Sequence, residues 1–321
     1  MSKILVIGSS NTDLITKVKR FPLAGETITG QLYTQAMGGK GANQALAARR
    51  SGGDVSFVTC LGSDANGRSA LQYYAQEGLD ISRALQVDHA PTGTAVILVN
   101  EEGENIIVLN PGANHQLHPA DVSRLSETIR DASIVMLQME IPLETVIRIC
   151  ELANEHNVPV MLNVAPAREI SESLVSRISY IVVNETEIES ITKLSLDKHA
   201  EDEVIDHLLS MGAKTVILTL GSRGCIVKSS TFRHEIHAFQ VETVDTTAAG
   251  DTFCGALVAQ LSKGETLENA IRFATAAAAI CVTRLGAQPS IPFENEVKEF
   301  LQAESNGMPA LKRKSGSRSI F

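Results

Sequence analysis

Tryptophan is missing from the 321 residues, and Tyr and Phe number only 4 and 9. The 44% hydrophobic share must therefore build its core from aliphatic side chains. No CxxC pair is present. The 5 cysteines stand far apart, at 60, 150, 225, 254 and 281. Wide spacing and an odd count predict reduced, mainly structural thiols in a cytoplasmic protein. No excess of positive charge exists either, since the net charge is -9. That argues against general nucleic-acid binding. No window reaches the roughly 18 apolar residues of a membrane span. The small-residue run Ala274 to Val282 fits a buried helix instead. The opening MSKILVIGSS breaks too soon for a signal peptide. Two nucleotide signatures are absent as well. Gly8 is followed by Ser10 and Asp13 where GxGxxG requires glycine, and Lys40 precedes Gly41 where a P-loop requires Ser or Thr.

What is present alternates between strand and helix patterns, which predicts an α/β fold. Ile4 to Ile7 reads as a buried parallel strand, with Asn11 and Asp13 just beyond its C-terminal end. Ligands of open α/β sheets gather there. An Asx turn would also explain this pair. Residues 14–35 are short and β-prone, as an antiparallel excursion would be. Thr94 to Val99 and Asn105 to Leu109 flank a polar tip, as in a hairpin. Together they predict a small β lid from two insertions. Gly38 to Gly41 lead into a helix, and their glycines permit close approach of a ligand to the backbone.

Strands are predicted at 55–60, 134–138, 160–163, 180–183, 215–220, 225–228 and 237–241. Helices are predicted at 65–77, 142–156, 201–211, 251–262, 267–282 and 293–303. Polar clusters follow several of these strands: Glu140, Asn184 with Glu187, and Gly221 to Gly224. Parallel strands with crossovers of one hand place them all on one side of the sheet.

The stretch DTTAAGDTF, 245–253, closes the set. Its small residues precede Asp251 at a helix start, where backbone N–H groups can hold an anion. Asp251 could accept a proton from an attacking hydroxyl, or it could simply cap the helix. The cluster as a whole fits phosphoryl transfer to an alcohol.

The combined motifs resemble the ribokinase-like (PfkB) carbohydrate kinase family over residues 3–303. They are GSSNTD at 8–13, GGKGANQA at 38–45, GEN at 103–105, NVAPA at 163–167, NETE at 184–187, TLGSRG at 219–224, DTTAAGDTF and GAQPSIP at 286–292. The resemblance implies a three-layer α/β/α domain with a mainly parallel central sheet and a small β-sheet lid. The expected boundaries are 1–13, 36–91 and 111–304 for the main domain, and 14–35 with 92–110 for the lid. Residues 305–321 would form a disordered basic tail.

The resemblance also implies residue roles. Asn11, Asp13, Gly39, Lys40, Asn43 and Glu140 would bind the sugar. Asp251 would be the base, with Ala248, Ala249 and Gly250 as the anion hole. Asn184 and Glu187 would serve phosphate and water-bound Mg²⁺. Thr219, Gly221, Ser222 and Gly224 would form the nucleotide loop, with Thr275 near the adenine. Asp245, Thr247, Cys281, Arg284, Gly286 and Ser290 would surround an activating monovalent cation, usually K⁺, some through backbone carbonyls. A homodimer through the lid is implied too.

The implied reaction carries the γ-phosphoryl of ATP to the 5-hydroxyl of D-ribose. In relatives that act on 2-deoxyribose, the position of Asn11 tends to be apolar. Alternatives are 2-deoxyribose, another sugar or a nucleoside as acceptor, or a catalytically silent sugar sensor. A NAD-dependent dehydrogenase lacks its glycine fingerprint. Two departures from the family pattern are Ala248, where glycine is commoner, and Val164, where proline is usual.

Overall fold

The computed structural model describes residues 3–306. The first third of the chain runs β1 (Lys3–Ile7), β2 (Asn11–Lys17), β3 (Leu32–Gly38), α1 (Lys40–Arg50), β4 (Asp54–Val58), β5 (Cys60–Gly62), α2 (Ala65–Gln76), β6 (Leu85–Val87), β7 (Gly93–Val99) and β8 (Asn105–Asn110). There follow α3 (Pro119–Ser123), α4 (Ser126–Arg130), β9 (Ala132–Leu137), α5 (Leu143–Glu155), β10 (Val160–Asn163), α6 (Glu172–Val175), β11 (Tyr180–Asn184), α7 (Glu185–Thr192) and α8 (Glu201–Ser210). The last part comprises β12 (Thr215–Thr219), β13 (Cys225–Ser229), β14 (Arg233–Ile236), α9 (Ala249–Ser262), α10 (Leu267–Cys281) and α11 (Glu294–Ser305).

Eight strands form the main sheet in the order β14-β13-β12-β11-β10-β9-β1-β4. It is parallel from β4 to β12, and β13 and β14 are antiparallel additions. Successive side chains of a strand face opposite ways. Leu5 and Ile7 therefore join one core with α5, α7 and α8, while Ile4 and Val6 join the other with α1, α9 and α10. Both faces are covered, which is why the strands read as unbroken apolar runs. Each fully buried Leu, Ile or Val contributes about 1.5–3 kcal/mol, an upper estimate. The result is the expected α/β/α sandwich.

α9 is buried over nearly its whole length and packs between α1 and α10. Its Gly255 makes the crossing with α1 possible. A Cβ there would stand 2.4 Å from the Gln44 carbonyl oxygen and 2.6 Å from the Ala47 Cβ. This close approach fixes α9, and with it Asp251, against α1.

The smaller sheet has the order β3-β2-β7-β8. The excursion is antiparallel as expected, β2 against β3, and the two central strands of the sheet, β2 and β7, are parallel. Each is the outgoing arm of a hairpin that returns through β3 or β8. The sheet also begins at Asn11, not at 14, and β3 runs to Gly38, beyond the expected 35. Asn11 and Asp13 thus lie on the lid itself. Residues 237–241 are not a strand; β14 ends at Ile236. α3 and α4, five residues each, are too short to show a helical period.

All five cysteines are buried and unpaired. Among the described residues no helix is long and apolar enough to cross a membrane. The basic stretch from Lys312 to Arg318 lies outside the described residues.

Candidate active site

The site begins where β1 ends. The Ser9 hydroxyl donates to Glu140 Oε2 at 2.5 Å, and the Lys40 amide donates to the same oxygen at 3.1 Å. The Gly41 amide reaches Ser9 Oγ at 3.2 Å. Glu140 thereby satisfies an orphan N–H at the start of α1, 100 residues away in sequence. Gly39, just before that helix, has φ 89, a left-handed backbone suited to glycine.

Asp13 comes in from β2, opposite β3. A Cβ on Gly38 would stand 2.1 Å from its Oδ2, so glycine makes the room for this carboxylate. Burial, and then the Glu140 and Asp251 carboxylates, push Asp13 up to about 7. Lys40 answers part of this negative charge. Asp251 above all, then Glu140 and Glu187, hold its ammonium above its usual range despite burial.

Asp251 occupies the first turn of α9 but does not cap it. The N-cap is Ala248, at φ 61, and Asp251 sits three residues further on. Its carboxylate is gripped from α1: Asn43 Nδ2 donates to Oδ2 at 2.9 Å and Gln44 Nε2 to Oδ1 at 2.9 Å. Gln44 Nε2 is also 3.0 Å from Asn163 Oδ1, and Asn43 Oδ1 accepts from Gln288 Nε2 at 3.1 Å. The capping explanation of Asp251 is thus set aside by geometry. The amides of Gly250 and Asp251 meet no acceptor among the described residues, whereas the Ala249 amide makes a 3.2 Å bond to the Thr246 carbonyl.

A cleft of about 510 Å³ opens beside this helix start. Asn184, Thr219, Gly221, Ser222, Gly224 and Thr275 all line it, with Ala249 and Gly250. Glu187 does not. It faces inward and closes a capping box with Asn184: each backbone amide donates to the other's side chain at 2.8 Å. Burial raises the Glu187 carboxyl, partly offset by the Asn184 amide and Lys40. One carboxylate oxygen serves the cap, and no described group donates to the other.

The predicted cation segment also assembles. Asp245 Oδ1 accepts the Thr247 amide at 2.9 Å and its hydroxyl at 2.6 Å, and Oδ2 accepts the Gly286 amide at 3.0 Å. Burial pushes the Asp245 carboxyl up, but these bonds outweigh it and hold it below its usual value. Cys281 Sγ lies 3.0 Å from Ser290 Oγ. Arg284 turns its guanidinium to Glu296 at 2.6 Å, leaving only its backbone for the loop.

Comparison with known proteins bears on this arrangement. The family model described as pfkB family carbohydrate kinase matches residues 1–294. The chain belongs to the pfkB carbohydrate kinase family. A ribokinase of Haemophilus influenzae is 42% identical over 300 residues, covering 93% of this chain and 98% of the relative. A deoxyribokinase of Salmonella typhi is 33% identical over the same length, again covering 93% and 98%. The structure of Arabidopsis thaliana ribokinase complexed with ribose and ATP superposes with a TM-score of 0.88 at 32% identity, covering 92% of this chain and 97% of that one.

Several residues of this kinase's site escape sequence reasoning. Gln44 and Gln288 order the Asp251 carboxylate, directly or through Asn43. Gln44 belongs to the motif GGKGANQA, whose resemblance implies no role for it. Phe239 and Val241, expected on a strand, instead line the cleft with Ala278 of α10 and Val282 just after it. The apolar spacing of 237–241 carried that signal, but its loop geometry did not show.

Proposed function

We propose that this kinase transfers the γ-phosphoryl group of ATP to the 5-hydroxyl of D-ribose, giving D-ribose 5-phosphate and ADP. The observation that carries the reading is the position of Asp251. It joins the polar set of Asn11, Asp13, Gly39, Lys40, Asn43 and Glu140 to the cleft of Thr219, Gly221, Ser222, Gly224 and Thr275. The polar set would hold the sugar and the cleft the nucleotide, with its apolar wall against the adenine. Asp251 accepts the hydroxyl proton as the O–P bond forms. The exposed Gly250 amide is free for a phosphoryl oxygen. The Ala249 amide would exchange its long bond to Thr246 for another, and Ala248 completes this anion hole.

Mg²⁺, when bound, supplies charge compensation on the phosphates. Asn184 and the free oxygen of Glu187 would hold it through water, as suits an ion that keeps its hydration. Asp245, Thr247, Cys281, Gly286 and Ser290, with the Arg284 carbonyl, would hold K⁺. The exposed Tyr33, Ile107 and Val108 of the lid suit a homodimer, which sedimentation at assay concentration reads. Five unpaired cysteines suit a reducing cytoplasm.

A second acceptor, 2-deoxyribose, is favoured by the 33% identical deoxyribokinase. Against it stands the polar Asn11. A site built to bond a hydroxyl rejects the analogue lacking it, by about 10⁴-fold in favourable cases. The test is to incubate the protein with ATP and Mg²⁺, with and without K⁺, on ribose, fructose, adenosine and no acceptor. ADP formation that depends on ribose and is raised by K⁺, with phosphorus on the 5-oxygen, is expected. Sugar binding without ADP formation would leave a silent sensor.

Asp13 adds a pH dependence. With its carboxyl at about 7 in the free protein, the ionised fraction falls about tenfold between pH 8 and pH 6. An ionised carboxylate accepts hydroxyl protons, so sugar affinity should rise through pH 7 and level off above it. Calorimetric titration at pH 6, 7 and 8 reads this. A flat profile, or the same profile in Asp13→Asn, would contradict it.

A further inference from the structure

Asn114 lies in the short 3-10 turn that follows β8, and it is 1% exposed. Its Oδ1 accepts the Ser10 amide at 2.9 Å. A backbone N–H can only donate, so this bond fixes which end of the Asn114 amide is oxygen. Asn114 Nδ2 must then be the donor to Asn11 Oδ1 at 2.8 Å and to the Ser10 carbonyl at 3.2 Å. The constraint passes on. With its oxygen held against Asn114, Asn11 turns its Nδ2 the other way, and that nitrogen meets no acceptor among the described residues.

The pair is also confined. A Cβ on Gly93 would stand 2.3 Å from Asn114 Nδ2 and 2.4 Å from Asn11 Oδ1. Ser10, the reference for Asn114, is itself anchored, with its hydroxyl 2.6 Å from the buried Tyr74 hydroxyl. Asn11 and Asp13 are two residues apart on β2 and so project from one face of it. One face therefore carries a donor whose direction is set and, beside it, an acceptor.

We propose that Asn114 is a positioning residue that determines specificity: by taking the oxygen of Asn11, it makes Asn11 present N–H to a substrate hydroxyl beside the Asp13 acceptor. A hydroxyl both accepts and donates, so it satisfies the two groups together. A methylene satisfies neither and leaves the buried Asn11 N–H unpaired. The inference rests on the reading of Asn11 and Asp13 as sugar-binding residues.

Asn114→Asp is the direct test. The new carboxylate can still accept the Ser10 amide but cannot donate to Asn11. Asn11 must then turn its nitrogen toward Asn114→Asp and its oxygen toward the substrate. Calorimetric sugar binding without ATP, and steady-state kinetics, are measured for Asn114→Asp, Asn11→Ala and the double variant. The Kd and KM for ribose should rise by at least about tenfold, and preference over 2-deoxyribose should fall by a similar factor. The KM for ATP should stay within about twofold. On an Asn11→Ala background the second substitution should add less than about twofold, because both act through one amide.

Independent, multiplying effects on ribose affinity would overturn the proposal. So would a lowered melting temperature with unchanged ribose affinity. If Asn114→Asp does not fold, Gly93→Ala carries the same expectations and the same contrary outcomes, since its methyl wedges the two amides apart. A parent protein that binds 2-deoxyribose as well as ribose, with Asn11 in place, overturns the inference while leaving the kinase reading intact. A parent that binds no sugar overturns the functional reading itself.

Discussion

Asp251→Asn is expected to lower turnover by about 10³-fold or more while leaving ribose affinity within about fivefold of the parent. The amide that replaces the carboxylate cannot accept the hydroxyl proton. It also meets a local conflict. Both oxygens of Asp251 accept N–H groups, one from Asn43 and one from Gln44. An amide can keep only one of these bonds and must turn its own N–H₂ against the other donor. Asn43 is also held by Gln288, so the conflict falls on Gln44, whose other partner is Asn163. The sugar contacts proposed for Asn43 are thereby spared. Single-turnover phosphate transfer, set against calorimetric ribose binding, separates the two effects. Comparable turnover in variant and parent would remove Asp251 from the chemistry.

Gly255→Ala should injure catalysis more than stability. The added methyl would stand 2.4 Å from the Gln44 carbonyl, 2.6 Å from the Ala47 Cβ and 2.8 Å from the Ala48 nitrogen. These are backbone and stub atoms of α1, so the two helices must move apart. Overpacking of this kind costs about 1–3 kcal/mol. Replacing Gly by Ala in a helix returns up to about 1 kcal/mol, so the net loss stays modest. The catalytic loss is larger. Asp251 lies one turn before Gly255 on α9, and its two donors lie on α1. A shift of about 1 Å between base and acceptor can cost about 10²-fold. Thermal unfolding and kcat, measured together, check this. An unchanged kcat with an unchanged melting temperature would show that the helix crossing tolerates the methyl.

Much of the fold was legible because its signals are local. Val160 to Asn163 is a strand as predicted, since a buried parallel strand needs only a short apolar run between breakers. The lid hairpin at Gly93–Val99 and Asn105–Asn110 announces itself by its polar tip. The parallel pairing of β2 with β7 was not legible, because nothing in either hairpin states which strand of the other it meets. The candidate site divides the same way. NETE carries a capping-box spacing that marks the start of α7, but the same Asn184 and Glu187 also suit ligand chemistry, so the spacing alone does not separate the two. Asn114 is 103 residues from Asn11, and Gln288 is 245 from Asn43. A side-chain amide leaves no pattern that reaches so far. The turn after α10, laid on α1, brings Gln288 to Asn43, and the turn after β8 brings Asn114 to Asn11.

The proposed reaction is phosphoryl transfer to a sugar that Asn11 and Asp13 would read. The ratio of kcat/KM for D-ribose to that for 2-deoxy-D-ribose, with ATP, Mg²⁺ and K⁺ in one competition assay, tests it most directly. A ratio of about 10² or more in favour of ribose is expected, because the missing hydroxyl leaves a buried donor and a buried acceptor unpaired. A ratio near one, or one in favour of 2-deoxyribose, would contradict it.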